Sequence, residues 1–66
     1  MSNVNVAQFF GKKINTEVTE DQIKTVTGAE IIRVLYPNSI MTMDLRMERW
    51  NVHVDQDGTI TNIIQG

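Results

Sequence analysis

The sequence predicts an α+β domain, with one helix packed on one face of a small β-sheet. Three observations lead there. Ile14, Val18, Ile23 and Val26 recur at roughly helical spacing. After Gly28, the segments 30–36 and 49–55 are rich in β-branched and aromatic residues, and the second alternates cleanly in polarity. Asp55-Gln56-Asp57-Gly58 then reads as a tight turn that sends the chain back into a third strand. Sixty-six residues hold a single domain, 1–66, with one small core. There is no cysteine, so that core must stand on packing and hydrogen bonds without a disulfide or a thiolate metal site.

Residues 1–8 are polar and β-branched and are expected to form a loose N-terminal segment. Phe9 and Phe10, ahead of Gly11, are the first expected core anchors. The helix is predicted to begin at Asn15 or Thr16, either of which can cap it, with Glu17, Glu20 and Asp21 favouring its N-terminal half. Gly28 is its stop signal. In the first strand, 30–36, Ile32 and Val34 should face inward and Arg33 outward, and Pro37 ends it. In the second, Trp50, Val52 and Val54 share one face, while Arg49, Asn51 and His53 share the other. The return strand, 59–64, should bury Ile60 and one of Ile63 or Ile64.

Between the first two strands lies a connection of about a dozen residues, long for so small a domain. Within it Met41, Met43, Leu45 and Met47 alternate with Thr42, Asp44, Arg46 and Glu48. That pattern suits either a half-buried strand or an extended loop held in solvent.

Several function classes are disfavoured. Net charge is −2, and the six basic residues are scattered from Lys12 to Arg49, so no nucleic-acid partner is expected. No apolar run approaches the ~20 residues that span a bilayer, so no membrane partner is expected. Met1-Ser2-Asn3 opens the chain without a basic or an apolar leader region. A cytoplasmic location is the expectation, with secretion by another route left open. Asp55, Asp57 and Gly58 lack the remaining ligands of a calcium loop, and His53 is the only histidine. Neither a metal nor a cofactor is expected. Ser2 and Ser39 are the only serines, and no nucleophile, base and orienting group suggest an enzyme.

Thr42-Met43-Asp44-Leu45-Arg46, then Arg49, a β-branched strand to Asp55 and a final Gly66 resemble serine protease inhibitors of the potato inhibitor I type. Arg33-Val34-Leu35-Tyr36-Pro37, with Arg49-Trp50-Asn51-Val52, Asp57-Gly58 and Ile60, is closer still to a related group. These are the small fungal and bacterial elastase and subtilisin inhibitors with a potato inhibitor I-like fold. The resemblance implies a helix on a small mixed sheet, with 37–48 as a long exposed reactive loop. It also implies a reversible, substrate-like inhibitor of a subtilisin-, chymotrypsin- or elastase-like serine protease, acting as a monomer. Ile40, Met41, Thr42, Met43, Asp44, Leu45 and Arg46 would enter the protease cleft, and Met43–Asp44 would be the scissile bond. Arg49, Asn51 and Gly66 would support the loop from below, with Arg49 reaching Thr42 and Asp44. Members of that group often carry a cysteine just before the final glycine; here Gln65 holds the place. The alternative from another class is a non-inhibitory interaction module that uses the Met-rich segment as an adaptable surface.

Overall fold

A computed structural model describes residues 4–39 and 46–66. Its elements are a 3-10 turn Ala7–Phe9, helix α1 Glu20–Thr27, and strands β1 Ile31–Leu35, β2 Arg49–Val54 and β3 Ile60–Gln65. The three strands form one sheet in the order β1-β2-β3. β2 and β3 are antiparallel, with Val52 opposite Ile63. β1 and β2 are parallel, with Ile31 opposite Arg49 and Leu35 opposite His53. This is the mixed sheet with one helix that the sequence led us to expect.

The parallel pairing explains the long connection. A chain leaving β1 must travel back along the whole strand before it can enter β2, and such crossovers take a dozen or more residues. The thirteen residues between Leu35 and Arg49 meet that requirement. Length alone is therefore a demand of topology; what distinguishes this connection is how its ends are held.

The helix starts later than the spacing predicts. Thr19 caps it through a reciprocal pair: the Gln22 N–H donates to Thr19 Oγ1 at 3.2 Å, and the Thr19 N–H donates to Gln22 Oε1 at 2.8 Å. This capping box satisfies two of the N–H groups that a helix start leaves without an intrahelical partner. Asn15 takes a left-handed φ of 64°, which no helix accommodates. Ile14 and Val18 still reach the core, but from a turn closed by Asn15 N–H to Val18 O at 2.6 Å. At the other end Gly28 terminates α1, as expected, donating its N–H to Lys24 O.

Ile23 is fully buried and anchors the helix on the sheet. Around it gather Phe9, Ile14, Val18, Val52, Val54, Ile60 and Ile63, with Ile32, Val34 and Trp50 at the margin. Of the isoleucine pair in β3, Ile63 is the buried one and Ile64 is 46% exposed. Phe10 departs from its expected role as a core anchor and is 40% exposed. The backbone turns extended at Phe10, which throws its ring away from the side that buries Phe9. From there the chain lies against the start of β3, with Gly11 N–H to Ile60 O and Ile60 N–H to Lys12 O, both 2.8 Å.

The 55–58 turn takes the hairpin form rather than that of a cation loop. Asp55 Oδ1 accepts the N–H groups of Asp57 and Thr59, each at 2.9 Å, and Gly58 supplies the positive φ of 83°.

Candidate functional site

Strand alternation sends Ile32, Val34, Trp50, Val52 and Val54 toward the helix and Arg33, Leu35, Arg49, Asn51 and His53 to the opposite face. That second face is not an ordinary solvent face. Arg49 is only 6% exposed, Asn51 5%, and Leu35 is buried beside them in the sheet. Burying a guanidinium and an amide is costly unless they are hydrogen-bonded.

Both side chains converge on one atom. Arg49 Nε donates to the main-chain oxygen of Gly66 at 3.0 Å. Asn51 Nδ2 donates to the same oxygen at 2.6 Å. The Gly66 N–H in turn donates to Arg49 O at 2.9 Å. Gly66 takes a φ of 132°, a region that side-chain-bearing residues rarely enter, so glycine fits this knot where others would strain. Asn51 Oδ1 is buried, and among the described residues it has no hydrogen-bond partner. A buried acceptor left so costs about 1–3 kcal/mol.

The connection between β1 and β2 is fastened at both roots. On the β1 side Tyr36-Pro37-Asn38-Ser39 forms a turn, with Ser39 N–H to Tyr36 O at 2.9 Å. The Ser39 hydroxyl oxygen also accepts the Tyr36 N–H at 2.9 Å. Pro37 sets φ for the first turn position. On the β2 side Arg49 N–H closes a turn onto Arg46 O at 3.1 Å. Glu48 O accepts the N–H groups of Glu30 and Ile31. The Gln65 side chain donates to Met47 O at 2.8 Å. Arg46 itself is exposed and lies 3.7 Å from the Glu48 carboxylate, a surface pair worth ~0–1 kcal/mol.

The structure thus brings together Arg49, Asn51 and Gly66, three residues singled out from sequence. Ile40, Met41, Thr42, Met43, Asp44 and Leu45 lie outside the described residues. Ser39 and Gln65 were missed. The Pro37-Asn38-Ser39 turn signal points to the first, while nothing in the sequence pairs Gln65 with Met47, eighteen positions away. Among the described residues no group of three or more His, Cys, Asp or Glu is placed to hold a metal ion.

The model of the peptidase inhibitor I78 family matches residues 2–66. The chain belongs to that family. A solved structure, that of elastase inhibitor AFUEI, is similar to this one with a TM-score of 0.67 and 22% sequence identity, over 89% of this chain and 79% of the other. At that identity the likeness speaks for the fold. No curated protein matches the chain. The match to the peptidase inhibitor I78 family spans Arg49, Asn51 and Gly66.

Proposed function

We propose that the chain is a non-catalytic, reversible, substrate-like inhibitor of serine proteases, with elastase-like and subtilisin- or chymotrypsin-like enzymes as the targets to test. In this reading it acts as a monomer and offers 37–48 as a loop of the potato inhibitor I kind. Met43 fills an apolar specificity pocket, and Met43–Asp44 is the bond presented for cleavage. The observation that carries the reading is the buried Arg49–Asn51–Gly66 knot on the sheet face away from the helix. A domain of 66 residues gains little from burying an arginine there unless the arginine positions something. The family membership and the elastase inhibitor fold support the same reading.

The physics is that of prepayment. Fixing the backbone of a free peptide in a cleft costs roughly 1–2 kcal/mol per residue. A loop anchored at both roots has lost much of that freedom already, so its affinity rises. After cleavage the scaffold keeps the new ends close, and religation competes with hydrolysis. Arg49 suits the support because its planar fork can bond two acceptors at once.

Titration against an elastase and a subtilisin tests this directly. Tight inhibition is expected, with one slow cut at Met43–Asp44 on prolonged incubation and the fragments still associated. A first cut mapped by mass spectrometry to residues 1–12, or no inhibition of either enzyme, sinks the assignment. The second outcome leaves the interaction module as the better reading.

A further inference from the structure

We infer that Gln65 is a positioning residue for the inhibitory loop, holding the β2-side root by its hydrogen bond to the Met47 carbonyl. The inference rests on the inhibitor reading above and adds a residue to it.

Three successive carbonyls at this root, those of Arg46, Met47 and Glu48, each accept a hydrogen bond from a different part of the sheet. Arg46 O is taken by the Arg49 N–H of β2. Glu48 O is taken by Glu30 and Ile31 at the entry to β1. Met47 O is taken by the Gln65 amide of β3 at 2.8 Å, a well-formed N–H···O distance. The root is therefore held from all three strands. Among these bonds Gln65 supplies the one made by a side chain, and so the one that substitution can remove.

Register explains how Gln65 gets there. It stands opposite Trp50 in the β2–β3 ladder, at the end of β3 where β2 begins. Its amide reaches past Trp50 to the turn that feeds the strand. Met47 lies in that turn, ahead of the first ladder pair of β2. The Met47 side chain is 61% exposed and Gln65 is exposed as well, so neither contributes to the core. The bond between them fixes the orientation of the peptide plane by which the chain enters β2, four residues beyond Met43. It does little else.

This makes a separable prediction. Gln65→Leu keeps the bulk and removes the donor. Gln65→Glu puts a carboxylate against the carbonyl, where neither group can donate. For the protease that the wild type inhibits best, Gln65→Leu should weaken inhibition about two- to tenfold, the range for one hydrogen bond. It should also speed cleavage at Met43–Asp44. Gln65→Glu should do more at pH 8. The urea midpoints of both variants should fall by less than their inhibition does, since both residues are exposed. The ¹³C shift of the Met47 carbonyl adds a readout that general destabilisation does not move. In Gln65→Glu it should titrate near the ordinary glutamate pKa of about 4.3, because the protonated carboxyl can donate again. In Gln65→Leu it should not titrate.

If the wild type inhibits but both variants inhibit and are cut as it is, the positioning role is overturned and the inhibitor reading stands. Losses of inhibition matched by equal losses in urea midpoint overturn it too, by making Gln65 merely structural. A wild type that inhibits no protease overturns the inhibitor reading, and this inference with it.

Discussion

The two faces of the sheet are buried by different chemistry. Toward the helix, Ile23, Val52 and Ile60 are sealed by apolar neighbours and leave no polar atom to satisfy. Away from it, Arg49 and Asn51 are almost as inaccessible, yet both donate to the Gly66 oxygen, and among the described residues the Asn51 amide oxygen has no partner. The first face is what a small fold needs in order to exist. The second buries polar groups at a cost, and in the proposed function that cost goes to positioning the loop. In a domain with no disulfide, the two tasks are divided between the two sides of three strands.

The sharpest way to separate them is to damage the helix face first. Ile23→Ala should cost about 2–5 kcal/mol, enough to unfold much of a domain whose net stability is ~3–5 kcal/mol. Urea denaturation will report it, and whatever fraction remains folded should inhibit normally. A folded Ile23→Ala protein that has lost inhibition would break the division between the faces.

Arg49→Ala is the matching change on the other face. Its burial means that stability will not be spared, as a solvent-face reading of the strand would suggest. The lost charge-assisted hydrogen bonds predict about 1.5–3 kcal/mol in urea denaturation. Inhibition should fall further than stability does, with faster hydrolysis at Met43–Asp44. Arg49→Lys, which keeps the charge and loses the fork, should restore little. Unchanged inhibition by a folded Arg49→Ala protein would remove the strut from the mechanism.

Asn51 offers a finer contrast. Asn51→Leu removes the bond to Gly66 and the unpartnered Oδ1 together, so the stability change should lie within about 1 kcal/mol. Asn51→Asp replaces a donor 2.6 Å from the Gly66 oxygen with an acceptor and should be the worse variant, by about 1–3 kcal/mol. If thermal melts reverse that order, the unsatisfied acceptor has been misjudged. The helix cap should have the smallest effect on inhibition. Thr19→Ala should cost about 1 kcal/mol of stability and leave the inhibition constant of the folded protein unchanged.

Much of the helix face was legible in the sequence, because apolar alternation and a glycine stop report directly on burial. Val52, Val54 and Ile60 took their expected places, and Gly28 ended the helix. The helix start was misread because Ile14 and Val18 stand four apart for a reason other than helicity: a tight turn brings both onto the same core. Phe10 shows the complementary limit, since adjacent aromatic residues cannot both face inward when the backbone extends between them. The residues of the knot were singled out by resemblance, but their burial was not legible. Polar residues alternating with Trp50, Val52 and Val54 look like a solvent face until Gly66 is seen folded against them. Nor does the parallel sense of β1 appear in its residues, since the alternation is the same in either direction.

The place of the connection, midway through the core residues, has a consequence for a nicked chain. A cut in the connection leaves Phe9, Ile14, Val18 and Ile23 on one piece and Val52, Val54, Ile60 and Ile63 on the other. Each piece then holds half of a core and no complete layer. Folding, until then a property of one molecule, becomes an association governed by mass action. Dilution should dissolve the cut protein at concentrations where the intact one stays folded. Mixing the separated pieces should rebuild the domain from two partners, neither of which has a structure to lose.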